Sequence, residues 1–365
     1  MVSSDRNLLK NPSKYRPNRR QTGSAIALTL VVAAAGLVPT SSVAAVQALP
    51  PQCSGSSPIR CQFNVAPGNY QVTVELGSPD RAANTSMSVE ARRQILSAVS
   101  TTAGQVVRTT ATVNARVPEG QPTGQGGTGT SGLSITFGGS APQVRSLTVA
   151  PASAPLVVYL AGDSTTCDQF TSPYAGWGQA FPARVGSGAV IANYGDSGES
   201  SGSFLSNRAL FPTVKPLIKS KDLVFIQFGH NDKNTTSTAF RDNLTRMING
   251  VRERGGSPVL VTPPVRRQFS GSTLTRTAQH VNGLGVDLPA VMRSLGRSGN
   301  VPVIDLTAKS KALVESLGPS ASQPLYLTRE TGDNTHFSLY GATKMADLVV
   351  QGVREQNLSL TAFLR

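Results

Sequence analysis

Asp333 stands three residues before His336 in the run Asp333-Asn-Thr-His336. At that spacing a carboxylate can accept the imidazole Nδ1–H, which fixes the tautomer and leaves Nε2 free to take a proton from a hydroxyl. The chain has 3 histidines, and neither of the others has an acid three residues ahead of it. His230 reads as a brace for the loop holding Asn231, and His280 as a surface residue in a polar helical stretch. Three serines compete to be the hydroxyl. Ser164 lies in Gly162-Asp163-Ser164, Ser197 in Gly195-Asp196-Ser197, and Ser200 in Gly198-Glu199-Ser200-Ser201-Gly202. The last is a literal G-x-S-x-G, and Asp305 and His336 would complete the Ser…Asp…His order that accompanies that elbow. An elbow needs its strand to run straight into the first glycine. Here Gly195-Asp196-Ser197 intervenes after Tyr194, and only one strand of the α/β region precedes it. Ser164 follows the apolar run Leu156–Ala161 directly and is taken as the nucleophile of a two-step acyl transfer. Gly198, or alternatively Gly195, can offer a backbone N–H to the oxyanion, and Asn231 its side-chain amide. Cys167 reads as a small buried residue rather than a rival nucleophile.

These residues need a scaffold that brings four separate stretches to one edge. Residues 151–365 alternate strands and helices, which implies a parallel sheet with helices on both faces. The strand candidates are Leu156–Ala161, Ala189–Tyr194, Asp222–Gly229, Ser257–Thr262 and Val301–Leu306. Phe240, Leu244, Met247, Ile248 and Val251 follow helical spacing, and a last helix spans about Ser338 to Gln356. Sites in such sheets lie outside the carboxyl ends of the strands, where all four stretches fall. Residues 46–150 read as a small β-sandwich: Tyr70–Leu76, Met87–Ala91, Val107–Val117 and Leu133–Phe137 alternate apolar and polar side chains. Glu119–Gly132 is a Gly-rich loop, and Pro151–Pro155 is the join.

The first 45 residues read as a cleaved signal peptide. A basic stretch from Arg6 to Arg20 is followed by the apolar Ala25–Val38 and small residues at Ser42–Ala45. The expected location is therefore outside the cell or at its envelope, with no membrane attachment after cleavage. The formal charge is +14, of which the leader's six basic residues and one acid leave +9 for the mature chain. That excess suits an anionic polymer. Zinc-finger spacing, a helix-turn-helix pattern and aromatic RNP-type stretches are absent, so no nucleic-acid partner is expected. Cys53 and Cys61 sit close together and can pair in an oxidising compartment. No ligand spacing for a metal occurs. A monomer is expected.

The four blocks occur in one order: Gly162-Asp163-Ser164-Thr165, the glycine block around Gly198, Gly229-His-Asn231-Asp232, and Asp333-x-x-His336. In this the chain resembles the SGNH (GDSL) hydrolases, and among them the rhamnogalacturonan acetylesterase group. Tyr174-Ala-Gly-Trp177-Gly-Gln179, Thr262-Pro-Pro-Val-Arg266-Arg267 and Asp305-Leu306 carry the narrower match. The resemblance implies a three-layer α/β/α fold with a five-stranded parallel sheet. It implies a cofactor-free esterase that removes O-acetyl groups from pectic polysaccharide. It gives Ser164 as nucleophile, Asp333 and His336 as its partners, and Ser164, Gly198 and Asn231 as oxyanion donors. The family's second block usually reads Gly-Arg-Ser, and here Glu199 replaces the arginine. Arg266 and Arg267 follow the fourth strand, and one is expected to pair with a uronate carboxylate. An acetylesterase acting on xylan or another acetylated polymer is the alternative. A non-catalytic carbohydrate-binding protein is the reading from another class.

Overall fold

A computed structural model describes residues 49–365. The signal peptide read at residues 1–45 lies outside them. Eight antiparallel strands come first: β1 (Cys53–Ser54), β2 (Ile59–Phe63), β3 (Gly68–Leu76), β4 (Ala83–Val89), β5 (Arg93–Thr101), β6 (Val107–Ala115), β7 (Leu133–Ala141) and β8 (Val144–Pro151). They form a five-stranded sheet in the order β1-β2-β7-β4-β5 and a three-stranded sheet in the order β6-β3-β8. Alternate side chains from the two sheets meet in one core. Met87, Val89, Ile135 and Phe137 come from the first sheet, and Val72, Val74, Ala111 and Val113 from the second. This is the period-two burial that makes a sandwich. Cys53 and Cys61 face each other across β1 and β2 and are bonded as a disulfide.

The α/β part begins at β9 (Leu156–Gly162). It continues through α1 (Trp177–Ala180), β10 (Ala189–Asn193), α2 (Ser201–Ser206), α3 (Phe211–Val214), β11 (Leu223–Gln227), α4 (Ser237–Glu253) and β12 (Ser257–Val261). A small hairpin, β13 (Phe269–Ser270) and β14 (Thr273–Leu274), precedes α5 (Leu288–Gly299), β15 (Val303–Ile304), α6 (Leu306–Ala321), α7 (Thr328–Thr331) and α8 (Leu339–Glu355). The five long-range strands form a parallel sheet in the order β10-β9-β11-β12-β15. Its side chains alternate between two helical layers. Val158 and Leu160 pack with α1 and α8, while Val157, Tyr159 and Ala161 pack with α2 and α4. The helices obey the same logic. In α4 the residues Phe240, Leu244, Met247, Ile248 and Val251 are buried on one stripe, and Thr236 caps the N-terminus by accepting from the Ala239 N–H at 3.2 Å. Ser338 caps α8 in the same way through Gly341, at 3.1 Å. The sequence expectations for these elements agree within a few residues, except that β15 keeps only two residues because Leu306 already starts α6.

The strand order locates the site. From β9 the chain moves to β10 on one side, then crosses back to β11 on the other. A crevice therefore opens at the carboxyl end of β9, between the loops that leave β10 and β11. The described residues belong to one compact unit, so the sandwich and the α/β part are continuous in packing. Among them no helix is long and apolar enough to cross a membrane. Phe225 on β11 is 1% exposed and packs on Phe181 beneath the crevice. Phe225→Ala is expected to lower unfolding free energy by about 3–5 kcal/mol, read as a shifted denaturation midpoint with unchanged slope.

Candidate active site

β9 ends at Gly162, and the chain turns at once. The Asp163 carbonyl accepts from the N–H groups of Thr166 and Cys167 at 2.9 and 3.0 Å. The Asp163 side chain is fully buried and takes Thr165 N–H at 3.0 Å and Thr165 Oγ1–H at 2.7 Å. Gln227, the last residue of β11, ties this turn to the sheet: its Oε1 accepts from Thr166 Oγ1 and Trp177 Nε1, each at 2.8 Å. Burial pushes the Asp163 carboxyl upward, but contact with His230 and the Thr165 donors outweighs that and holds it at about 2. His230 lies 3.3 Å from Asp163 through Nδ1. Burial pushes its imidazole below the ordinary range. The turn is thus a rigid polar knot with a fixed charge, and it projects Ser164 into the crevice.

Ser164 Oγ lies 2.9 Å from His336 Nε2, and His336 Nδ1 lies 2.7 Å from Asp333 Oδ2. The Asp333 Oδ1 atom accepts the backbone N–H groups of Thr335 and His336 at 2.7 and 3.0 Å. Burial acts to raise the Asp333 carboxyl, but these hydrogen bonds win and hold it below the usual carboxylate range. His336 is pinned from behind. Its carbonyl accepts from Leu327 N–H at 3.1 Å, the next residue Phe337 is fully buried, and the edge of Tyr174 packs on its ring at 5.6 Å. The spacing read from the sequence therefore corresponds to a continuous Ser164–His336–Asp333 hydrogen-bond chain.

The two flanking loops carry the remaining predicted residues. Gly198 adopts φ +81°, a left-handed conformation suited to glycine, and its missing Cβ would face open space. The Gly195 N–H is already given to Asn193 Oδ1 at 3.1 Å, whereas the N–H groups of Ser164 and Gly198 donate to no acceptor among the described residues. Asn231 donates through Nδ2 to the Glu199 carbonyl at 3.1 Å, which ties the loop after β11 to the loop after β10.

The competing residues are placed elsewhere. Ser200 is the N-cap of α2 and exchanges hydrogen bonds with Ser203. Ser197 Oγ lies 3.4 Å from the buried Cys167 sulfur, whose thiol is pushed well above its ordinary range by burial. Asp305 caps α6 and pairs with Arg293 at 3.2 Å. His280 is not a surface residue. It is 4% exposed, adopts φ +61°, packs edge-on against His230 at 4.4 Å between ring centres, and holds the Pro264 carbonyl at 2.7 Å. Residues 276–280 form turns that fold under the loop after β12, so the polar stretch around it is not helical. Arg266 donates to Thr335 Oγ1 at 2.7 Å and to the His230 carbonyl at 2.8 Å. Arg267 donates to Asn334 Oδ1 at 2.8 Å, to Ser322 Oγ at 3.2 Å and to the Pro319 carbonyl. Both guanidinium groups thus brace the loop that carries Asp333 and His336. Among the described residues, no group of three or more His, Cys, Asp or Glu is placed to hold a metal ion.

Several residues of the sandwich reach this site, and sequence reasoning missed them. Arg93, at the start of β5 and 1% exposed, meets Asp168 through Nε at 2.9 Å and Nη2 at 2.8 Å. Asp168 is fully buried, four residues after Ser164, and also accepts from Asn193 Nδ2 at 2.7 Å. Arg116 lies 3.6 Å from the same carboxylate. From the Gly-rich loop, Thr123 and Gln125 donate to the Asp196 carboxylate at 2.8–2.9 Å, and Gln121 Oε1 accepts the Ser197 N–H at 2.6 Å. Periodicity cannot reveal such contacts, because they join residues 52 or more positions apart. Removing one partner of a buried pair leaves an uncompensated charge. Arg93→Met is therefore expected to cost about 3–5 kcal/mol, and the Arg93→Met/Asp168→Asn double variant less than the sum of the two singles, by denaturant unfolding.

Glu90, beside the same arginines, is raised to about 7, because burial outweighs the attraction of Arg93. A carboxyl raised in the folded state weakens the fold as pH climbs from its ordinary value toward that pH. Glu90→Gln should therefore gain stability relative to wild type between about pH 4.5 and pH 7 and match it below that window, by thermal melts across the range.

A family model for the GDSL-like lipase/acylhydrolase family matches residues 160–343. The chain is 36% identical over 222 residues to the rhamnogalacturonan acetylesterase RhgT of Bacillus subtilis (strain 168), covering 56% of this chain and 93% of that protein. It is 30% identical over 214 residues to the probable rhamnogalacturonan acetylesterase YesY of the same organism, covering 56% of this chain and 95% of that one. Among solved structures, the Bacillus subtilis protein YxiM aligns with a TM-score of 0.51 at 23% identity, over 83% of this chain and 81% of that chain. That likeness spans more of the chain than the two acetylesterase alignments do.

Proposed function

The chain belongs to the GDSL-like lipase/acylhydrolase family and is a carboxylic ester hydrolase, and from that premise we propose that it removes O-acetyl groups from rhamnogalacturonan outside the cell. The observation that carries the mechanism is the hydrogen-bond chain from Ser164 through His336 to Asp333, at 2.9 and 2.7 Å. The substrate class is supported by the 36% identity to RhgT across nearly all of that protein. Export is supported by the basic and then apolar character of residues 1–45.

In this mechanism Ser164 Oγ attacks the acetyl carbonyl carbon while His336 Nε2 takes its proton. Asp333 keeps Nδ1 protonated and stabilises the imidazolium that forms. The carbonyl oxygen becomes an oxyanion that receives the N–H groups of Ser164 and Gly198 and the Asn231 amide. The bond to the sugar oxygen then breaks, and His336 returns the proton to that oxygen. Water repeats the sequence on the acetyl-enzyme: His336 takes a proton from water, the hydroxide adds to the carbonyl, and acetate leaves as Ser164 recovers its proton. Arg266 and Arg267 act here as positioning residues, since their donors engage the loop of Asp333 and His336.

A second reading, an acetylesterase acting on a neutral polymer such as xylan, is favoured by Glu199. This acid stands beside Gly198 with its Oε2 buried and without a hydrogen-bond partner, and burial raises its carboxyl above the ordinary range. Acetate release from acetylated rhamnogalacturonan and acetylated xylan separates the two. The rhamnogalacturonan reading requires the higher kcat/KM on the pectic polymer. Asn231→Ala is expected to lower kcat by roughly 10²–10³ with the fold intact, since it removes one oxyanion donor. Ser164→Ala should abolish turnover on both polymers, while Ser200→Ala retains it.

A further inference from the structure

Residues 169–174 form a loop whose two ends touch the reacting residues. At the first end, Gln169 donates through Nε2 to the Ser164 carbonyl and to Ser197 Oγ, each at 3.3 Å. At the other, the Tyr174 ring stands edge-on to the His336 ring, with 5.6 Å between ring centres. The next residue, Ala175, gives its N–H to the Phe337 carbonyl at 3.1 Å in an antiparallel bridge, so this end of the loop is in register with the histidine segment. Between the ends the loop is held weakly. Thr171 and Ser172 are exposed, and no hydrogen bond joins residues 170–173 to any other part of the protein among the described residues. The Phe170 ring packs on Gly120 of the Gly-rich loop, where a Cβ would overlap it.

A side chain of the sandwich closes this loop. Arg92, in the tight turn between β4 and β5, donates through Nη1 to the carbonyls of Gln169 and Tyr174, at 3.2 and 3.1 Å. One charged nitrogen thus spans both ends. Gln179 Nε2 adds a tie at the first end only, donating to the carbonyls of Ala91 and Gln169 at 2.6 and 2.9 Å. The guanidinium is half-buried, and its acceptors are carbonyls rather than carboxylates among the described residues. Breaking either contact would leave a partly desolvated charge without an acceptor, which is costly. The backbone points the same way. Arg92 adopts φ +60°, a left-handed conformation that glycine takes freely and a residue with a Cβ does not. The turn alone would favour glycine, and the arginine that stands there is engaged with the loop.

We propose that Arg92 is a positioning residue for the acyl transfer: through the loop it closes, it holds Tyr174 against His336. This role rests on the reading of Ser164, His336 and Asp333 as the reacting set. The bond from Nδ1 to Asp333 fixes one side of the imidazole, and the ring can still tilt about it. The tyrosine edge limits that tilt and keeps Nε2 at 2.9 Å from Ser164 Oγ. A displacement of about 1 Å between reacting groups costs up to about 10² in rate. The neighbouring Arg93 anchors Asp168 on the Ser164 side, so consecutive arginines of one turn serve the two sides of the reacting pair. Because a single nitrogen of Arg92 reaches both carbonyls, an ammonium at this position can replace it, whereas a methionine fills the space of the stem and donates nothing.

The test follows hydrolysis of 4-nitrophenyl acetate, an ester that needs the acyl site and no polymer contacts. It compares wild type, Arg92→Met, Arg92→Lys, Tyr174→Ala, the Arg92→Met/Tyr174→Ala double variant and His336→Ala, each with its denaturation midpoint. Val74→Ala, buried in the sandwich core, is the control for stability. Arg92→Met is expected to lower kcat about tenfold with KM little changed, and Arg92→Lys to recover most of that loss. Tyr174→Ala should lower kcat at least as far, and the double variant no further than Tyr174→Ala alone. Val74→Ala should lower the midpoint and keep kcat at temperatures below its transition. Wild-type kcat in Arg92→Met, or losses that multiply in the double variant, overturns the role of Arg92. Wild-type kcat in Tyr174→Ala overturns it as well, whether or not Arg92→Met folds. An equal loss of kcat in Val74→Ala assigns the effect to stability and also overturns it. In each of these cases an inactive His336→Ala leaves the reacting set standing. Turnover retained in His336→Ala overturns the reacting set itself, and the role of Arg92 with it.

Discussion

The buried contact between Arg93 and Asp168 is the constraint on which the rest of this site depends. Asp168 follows Ser164 by four residues, and it is fully buried against a guanidinium delivered by the first residue of β5. An ion pair of this kind contributes little net stability, because desolvation offsets most of the attraction. Its consequence is specificity of arrangement. With Arg93, Arg116 and Asn193 all directed at one carboxylate, the loop after Ser164 is anchored at Asp168. The sandwich thereby becomes part of the catalytic scaffold. The same holds on the other flank, where the Gly-rich loop reaches Asp196 and Ser197 and fixes the approach to Gly198.

Beneath Ser164 a second set of interactions does the complementary work. Asp163, Thr165, Thr166, Gln227 and Trp177 are buried and satisfy one another, so the turn at the end of β9 cannot relax without leaving polar atoms unpaired. As the proposed nucleophile, Ser164 held in this way loses little orientational freedom when substrate arrives, which is the geometric part of catalysis. The competing serines lack that support. Ser200 is occupied as a helix cap, and Ser197 sits against a buried thiol with no imidazole in reach.

Much of this was legible in the sequence, and the parts that were share a physical basis. The five parallel strands show as uninterrupted apolar runs because both of their faces are covered. His336 and Asp333 show because a contact between residues three apart is local. The sandwich strands at β3, β4, β6 and β7 show through alternation. β5 and β8 were missed because their outer positions carry Ser, Thr and Arg in no regular pattern. His280 was misplaced because its neighbours are polar, while its own burial follows from a turn that only the tertiary fold creates. Arg93, Asp168, Thr123 and Asp196 are ordinary surface residue types, and nothing local marks them as buried partners. The loop-bracing bonds of Arg266 and Arg267 were hidden for the same reason: a guanidinium near a cleft looks free until its acceptors are in place.

The central claim is that the scaffold activates Ser164 and no other serine. The most direct measurement is covalent trapping with an organophosphonate ester, followed by mass-spectrometric mapping of the modified peptide, on wild type and on His336→Ala. The account predicts one adduct, on Ser164, in wild type and a sharply slowed reaction at that residue in His336→Ala. An adduct on Ser197 or Ser200, or labelling of Ser164 at the same rate without His336, would contradict it.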